Sequence, residues 1–245
     1  MAEEVTLSIH RGTEESGAMV EYKVPRAPGM VVLDAVHSVQ ALHAPDLACR
    51  WNCKAGRCGS CSAEVNGKPR LMCMDRIDHY PAGETIHVRP MKTFPVIKDL
   101  VCDVSWNYKV NQKIPAFQPR KGTDWKFSQE EANRVQEFRK CIECFLCQNV
   151  CHVLREHDKK AEFGGPRFLV RVASLEMHPL DEADRIDLVR NELGIGLCNI
   201  TKCCTEVCPE HIKITDNAII PLKERVVDRH YDPVLWLWRK VTGKG

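Results

Sequence analysis

The sequence has no run of 18 or more apolar residues, so no segment of it is expected to span a bilayer as a helix. It has no excess of either charge. Its 35 Lys and Arg face 33 Asp and Glu, a formal net charge of +2 that argues for no nucleic-acid partner. It has no glycine-rich dinucleotide fingerprint, so neither FAD nor NAD is expected to bind here through a Rossmann site, and no nucleophile motif stands out. The opening residues, MAEEVTLSIH, are acidic and already alternate like a strand, so they are not expected to act as a signal peptide. At 245 residues the chain is long enough for one large domain or two modest ones.

What the sequence has in abundance is cysteine: 14 residues, clustered rather than scattered. Without export these thiols are expected to stay reduced, and clustered reduced cysteines point to metal rather than to a disulfide scaffold.

The first hundred residues read as mainly β. VTLSIHR alternates Val5, Leu7 and Ile9 with polar positions, and MVEYKV follows a turn-like GTEESGA, which predicts an opening hairpin. VVLDAVHSVQALH then places Val32, Ala35, Val36, Val39 and Leu42 on one helical face. Asn66-Gly67 separates two short β-like runs, a strong hairpin signal, and TIHVRP (85–90) reads as a closing strand.

From about Lys109 the period is lost, and Pro115, Pro119 and Gly122 suggest a draped connection. Ser128 with Glu131 opens a helix as a capping box, and the remainder is helical in pattern, most clearly in GPRFLVRVASLEM and DEADRIDLVRNEL. The expected organisation is a β-rich domain over 1–106, a linker over 107–127 and an α-helical domain over 128–245.

Cys53, Cys58 and Cys61 stand as C-x4-C-x2-C, with Cys73 following after eleven intervening residues. This is plant-type spacing for a [2Fe–2S] cluster. Gly56 and Gly59 allow the loop to curl and aim backbone N–H groups at a negatively charged cluster. Lys54 and Arg57 either add positive charge there or are simply solvated. A four-cysteine zinc site prefers paired C-x2-C knuckles, and only one tight pair exists. A helix before this motif and a hairpin after it suit a ferredoxin β-grasp.

Cys141, Cys144, Cys147 and Cys151 form C-x2-C-x2-C-x3-C, the bacterial ferredoxin run, whose fourth cysteine crosses over to a second cluster. By that rule Cys141, Cys144 and Cys147 hold a [4Fe–4S] cluster with Cys208, and Cys151 joins Cys198 and Cys204. The second set has three thiolates, because Thr201 stands where the template has cysteine, and this predicts [3Fe–4S]. Cys203 is expected to be a non-ligand, since its spacing from Cys198 does not fit and adjacent residues usually point apart. Eleven ligands leave Cys49, Cys102 and Cys203, which are expected to be buried small apolar residues.

The order of the three motifs, with CGSC, CIECFLC and CTEVCPEH as they stand here, resembles the iron–sulfur subunits of succinate dehydrogenase and fumarate reductase over essentially the whole chain. The resemblance implies an α+β chain: an N-terminal plant-type ferredoxin β-grasp domain, then an all-α bacterial-ferredoxin-like domain holding two clusters. It implies an electron-transfer subunit with no catalytic residues of its own. A separate flavoprotein subunit would hold FAD and oxidise succinate to fumarate, and membrane-anchor subunits would present quinone. The chain would then lie peripherally on the cytoplasmic face of a bacterial inner membrane.

The residues at the quinone end depart from the family: His152 follows Cys151 where proline is common, Arg155 lies where aromatic residues are expected, and Asn199 follows Cys198. These three are the candidates for the quinone's vicinity, although a solvated turn also accounts for His152 and Arg155. The CIEC and CTEVCPEH forms lean toward menaquinone-linked members. At the C-terminus, Trp236 and Trp238 beside Arg239, Lys240 and Lys244 suit either a membrane or partner surface or a strip folded onto the domain's own core. Two other readings compete: a thiol- or heterodisulfide-linked fumarate reductase subunit, whose usual CCG repeats do not occur in this sequence, and a zinc-stabilised scaffold.

Overall fold

The computed structural model describes residues 4–122, 124–234, 238 and 241. Two compact units emerge. The first joins Met1–Trp106 with Ile142–Val150 and Val207–Glu210; the second joins Asn107–Cys141 with Cys151–Glu206 and His211–Gly245. Segments from the bacterial-type cysteine runs therefore belong to the β-rich unit.

In the first unit, strands β1 (Glu4–Arg11) and β2 (Ala18–Pro25) pair antiparallel as the expected hairpin. Helix α1 (Val32–Leu42) follows. Strands β3 (Ser62–Val65) and β4 (Lys68–Leu71) flank a two-residue turn in which Asn66 and Gly67 both have positive φ, 46° and 75°. That is the geometry whose twist matches a hairpin. Strand β5 (Ile86–Arg89) closes the five-stranded sheet in the order β2-β1-β5-β3-β4, parallel to β1 and antiparallel to β3. This is the mixed sheet of a β-grasp.

The core lies between sheet and helix, where Leu7, Ile9, Ile86 and Val88 meet Leu33, Val36 and Val39, all fully buried. Burial of each such side chain contributes roughly 1.5–3 kcal/mol. Leu42 departs from the expected apolar face: it ends α1 and is 59% exposed, while Leu33 is buried instead.

Strands β6 (Val96–Lys98) and β7 (Val101–Cys102) form a separate small ladder, and Asp99 lies between them. Its carboxylate accepts from Gly12 N (2.7 Å), Ala48 N (2.8 Å) and Arg11 Nε (3.1 Å). This almost fully buried side chain thus ties the end of β1 to the start of the cysteine loop. Short helix α4 (Leu146–Asn149) also belongs to this unit.

The expected linker is not wholly irregular, because α2 spans Ser105–Gln112. In the second unit Ser128 caps α3 (Gln129–Gln136) as predicted: its Oγ accepts from Glu131 N at 3.2 Å, and Glu131 Oε2 accepts from Ser128 N at 2.7 Å. Further on come α5 (His152–Arg155), α6 (Pro166–Glu176), α7 (Ile186–Asn191) and α8 (Cys203–Glu206). A π-helical segment, Ile214–Ile219, runs directly into α9 (Ile220–His230). Among the described residues this unit has no strand, only an isolated bridge between Pro119 and Asp181.

The helix expected over DEADRIDLVRNEL begins only at Ile186, because the residues before it are occupied otherwise. Arg185 is buried and donates to Pro115 O (3.0 Å), Ala116 O (2.8 Å), Ala183 O (2.9 Å) and Asp181 Oδ2 (2.9 Å). It anchors the draped segment by its backbone carbonyls. Replacing Arg185 with Met leaves Asp181 as a buried carboxylate without its cation, and chemical denaturation should read a loss of ~3–5 kcal/mol.

No helix among the described residues is long and apolar enough to cross a membrane. Trp238 is 53% exposed; Trp236, Arg239, Lys240 and Lys244 lie outside the described residues.

Candidate functional site

The loop bearing Cys53, Cys58 and Cys61 turns its backbone toward its own sulfurs. Ala55 N and Arg57 N donate to Cys53 Sγ at 3.4 and 3.3 Å, and Gly56 N donates to Cys73 Sγ at 3.3 Å. Lys54, Gly56 and Gly59 have φ of 53°, 67° and 68°, which is how so short a loop presents successive N–H groups inward. Burial pushes the Cys58 thiol up, but hydrogen bonds from the Cys53 backbone and from Ser60 outweigh it and bring the thiol down to about 6. Burial holds Cys61 up at about 12. Thiolate donors together with a ring of N–H groups fit an anionic [2Fe–2S] cluster. Lys54 lies over the Trp51 ring at 4.9 Å, and the exposed Arg57 approaches Glu210 at 3.5 Å.

Gly59 also meets the second motif. A Cβ built there would lie 2.6 Å from Cys144 Cα and 2.9 Å from its N and Cβ. Ser62 Oγ is 2.8 Å from Cys144 O and 2.9 Å from Gly59 O, bridging the two segments. Below this contact the buried Asn149 donates to Glu64 Oε1 (2.8 Å) and accepts from Thr93 N (3.0 Å), while Thr93 Oγ1 donates to Asn149 O (3.1 Å). The segment 142–150 is thereby pinned to the sheet that carries the [2Fe–2S] loop. Replacing Ser62 with Ala removes one bridging hydrogen bond and should cost ~1 kcal/mol in denaturant unfolding. Cys144, Cys147 and Cys208 belong to this first unit, and Cys141 ends a segment of the second.

The two bacterial-type runs share a backbone signature. Glu143 and Phe145, on either side of Cys144, have φ of 56° and 60°; Ile200 and Lys202, on either side of Thr201, have φ of 58° and 62°. Left-handed backbone is unfavourable for such residues, above all for β-branched Ile200, and it persists where surrounding structure demands it. Thr201 therefore occupies the backbone position that Cys144 holds in its own run, without a sulfur.

In the second unit Cys151, Cys198 and Cys204 line one pocket together with Thr201, Cys203 and Asn199. Burial pushes the Cys151 thiol up to about 11, against hydrogen bonds from the Leu154 and Val153 backbone at the start of α5, and the neighbouring Cys203 and Cys198 push it further. Cys204 is likewise held up at about 11, by burial first and then by Cys203, Cys198 and Cys151, against a hydrogen bond from Thr215. Mutually repelling thiols of this kind become thiolates when iron supplies the compensating charge, so the donor set fits an iron–sulfur cluster. Cys203 corrects the expectation that it turns away. It lines the same pocket, with Sγ 3.3 Å from Thr201 Oγ1. Of the three cysteines expected to be buried, only Cys102 is, its thiol held up by burial at about 11; Cys49 and Cys203 are half-buried.

No group of three or more His, Cys, Asp or Glu among the described residues is placed to hold a single metal ion. Cluster thiolates are divided among several irons, two per iron in [2Fe–2S] and one per iron in a cubane, and need not converge on one point.

Several supporting residues carry no sequence signal. Lys223 Nζ donates to Cys198 O at 2.6 Å and brings a cation to the pocket's edge. The fully buried Thr215 lies with Oγ1 3.5 Å from Cys204 Sγ, while Thr205 Oγ1 donates to Thr215 Oγ1 at 3.1 Å. The relay orients the Thr215 hydroxyl as a donor to the sulfur. Losing ~1 kcal/mol of preference for the reduced cluster in Thr215→Val corresponds to a potential about 40 mV lower, which redox titration would read. Of the residues expected at the quinone end, Asn199 lines the pocket, His152 is exposed, and Arg155 pairs with Glu156 at 3.1 Å.

These features define an iron–sulfur electron carrier with two kinds of ferredoxin motif. Residues 6–109 match the family described as a 2Fe-2S iron-sulfur cluster binding domain, and residues 137–212 match the 4Fe-4S dicluster domain. The fumarate reductase iron-sulfur subunit of Wolinella succinogenes is 30% identical over 219 residues, covering 84% of this chain and 89% of that protein. A solved structure, the Mycobacterium smegmatis Sdh1 complex in the apo form, contains a chain 57% identical, with a TM-score of 0.93 and coverage of 96% of this chain and 100% of that one. A fumarate reductase (CoM/CoB) subunit from Methanothermobacter marburgensis is 30% identical over 89% of this chain, which spans 42% of that longer protein. The chain belongs to the family of succinate dehydrogenase and fumarate reductase iron–sulfur subunits, and its role is electron transfer rather than substrate chemistry.

Proposed function

We propose that the chain relays electrons one at a time between an FAD-containing flavoprotein subunit and quinone at membrane-anchor subunits, in the reaction succinate + quinone = fumarate + quinol. The observation that carries this reading is the contact of the Gly59 backbone and the Ser62 hydroxyl with Cys144, which sets the first cysteine loop against a proposed ligand of the next cluster. The proposed ligands are Cys53, Cys58, Cys61 and Cys73 for [2Fe–2S], Cys141, Cys144, Cys147 and Cys208 for [4Fe–4S], and Cys151, Cys198 and Cys204 for [3Fe–4S]. When bound, the clusters supply one-electron carriers whose potentials follow charge, hydrogen bonding and exposure.

The chain's own residues set those terms. Backbone N–H groups of residues 55–57 stabilise added negative charge at the first site. At the third, the absence of a thiolate at Thr201 together with Lys223 and Thr215 favours the reduced state. This makes the third site the oxidising end of the relay. Exposed Leu197 and Ile200 flank Asn199, an apolar rim suited to a quinone, menaquinone in this reading, or to the anchor that presents it. The chain would accordingly lie on the cytoplasmic face of the inner membrane, held by its partners.

Low-temperature EPR on the purified complex tests this reading. A trinuclear signal in the oxidised state should vanish on mild reduction, and a [2Fe–2S] signal should grow under succinate. An EPR-silent oxidised sample with two cubane signals on strong reduction would overturn the three-thiolate assignment; a colourless protein would favour the zinc scaffold. The similarity to the CoM/CoB-named relative favours one second reading, a thiol-linked fumarate reductase. Reduction of the clusters by a dithiol donor but not by quinol would select it.

A further inference from the structure

Cys203 is left over by the ligand count, yet its sulfur lies 3.3 Å from the hydroxyl of Thr201, the residue that stands without a thiolate in the third run. Thr201 occupies the backbone position that Cys144 holds in the first run, as the matching left-handed residues on either side show. Its Oγ1 is 3.3 Å from Cys203 Sγ. Cys203 and Cys204 open α8 side by side and both line the pocket of Cys151 and Cys198, so the first turn of α8 presents two thiols to one site. In the corresponding place of the other run, one residue before Cys147, stands Leu146, which has no donor atom. A half-buried thiol beside Thr201 is placed to reach an iron entering from solvent.

We propose that Cys203 is a reserve ligand for that corner, through which the third site takes up a ferrous ion and closes from [3Fe–4S] to [4Fe–4S]. The inference rests on the three-thiolate reading above. In the closing step the reduced trinuclear core, [3Fe–4S]0, combines with Fe2+ to give [4Fe–4S]2+. The Cys203 S–H bond breaks, the proton leaves to solvent, and a Cys203 Sγ–Fe bond forms. No electron is exchanged in this step; the preceding one-electron reduction of the core is the one the relay itself performs. The site would thereby sense iron, with the lower-potential cubane appearing when ferrous ion is plentiful and the trinuclear, oxidising form when it is scarce.

The test is Mössbauer spectroscopy of the 57Fe-enriched native complex before and after anaerobic incubation with dithionite and ferrous ion, followed by removal of excess iron. Wild type should convert from trinuclear to tetranuclear spectra, and Cys203→Ser should convert at least tenfold less while keeping its [2Fe–2S] EPR intensity, which reports that the protein is folded. Thr201→Val should convert like wild type, since the hydroxyl is not the ligand. Equal conversion in wild type and Cys203→Ser, or conversion in neither, overturns the proposal while leaving the trinuclear reading intact. If wild type is tetranuclear as isolated and Cys203→Ser is trinuclear, Cys203 is a ligand and the three-thiolate resting state is what fails. If both are tetranuclear as isolated, both readings fail.

Discussion

Thr201→Cys should abolish the trinuclear EPR signal, add one iron per chain, and uncouple succinate oxidation from quinone reduction. The expectation follows from backbone geometry. The positive φ values of Ile200 and Lys202 reproduce those of Glu143 and Phe145, so a cysteine at 201 would stand as Cys144 stands in its own loop. It would need no rearrangement to ligate a fourth iron. The added thiolate changes the charge and solvation of the core, and a lowering on the order of 100 mV or more is modest within the roughly −700 to +450 mV span of such clusters. For a one-electron step each ~59 mV is tenfold in equilibrium constant, so the ratio of reduced to oxidised third site at a given potential should fall about fiftyfold or more. Succinate should still reduce the [2Fe–2S] cluster at an unchanged rate, while electron delivery to quinone collapses. A variant that keeps its trinuclear signal would mean that residue 201 does not face the vacant corner.

That Thr201 stands at the template's second position is legible from spacing alone, because a short cysteine run writes its geometry into adjacent residues. The same holds for the opening hairpin and for Asn66-Gly67, where the turn chemistry is local. What stayed hidden is what tertiary contact creates. Asp99 is joined to Gly12 and Ala48, 87 and 51 residues away, and Asn149 to Glu64 across 85. Nothing in those residue types distinguishes them from a solvated aspartate or asparagine. The helix α2 was hidden because SWNYKVNQ has few apolar positions and buries only Asn107 and Val110. The late start of α7 was hidden because Arg185, ordinarily a good helix residue, is taken up by the carbonyls of Pro115 and Ala116. Cys203 shows the converse limit: its presence was plain, but its direction depends on where the first turn of α8 begins.

Gly59→Ala should be the most damaging of the glycine replacements in the first unit, and comparison with two others isolates the reason. All three glycines have positive φ, 67° at Gly56, 75° at Gly67 and 68° at Gly59, so each alanine takes on the ~1–2 kcal/mol of left-handed backbone. At Gly67 an added Cβ meets nothing within 4 Å, and the backbone term is all that Gly67→Ala should lose. At Gly56 the nearest atoms are Met74 Sδ and Cγ at 2.9 and 3.0 Å, on a side chain 57% exposed that can swing aside. At Gly59 the obstacle is the main chain of Cys144, with Cα at 2.6 Å, and Asn149 and Thr93 hold that segment in place. Relief to an ordinary carbon–carbon contact of about 3.5–4.0 Å requires the two cluster segments to part by about 1 Å. That would lengthen the 2.8 Å bond from Ser62 Oγ to Cys144 O beyond hydrogen-bonding range and disturb the ligands on both sides. Gly59→Ala should therefore lower the occupancy of both the [2Fe–2S] and [4Fe–4S] sites severalfold and weaken the magnetic interaction between their reduced forms, read by iron content and by EPR line splitting. Gly67→Ala should leave both unchanged and Gly56→Ala should fall between. If Gly59→Ala retains full iron and an unaltered interaction, the close approach of the loop to Cys144 does not govern the passage between these two sites.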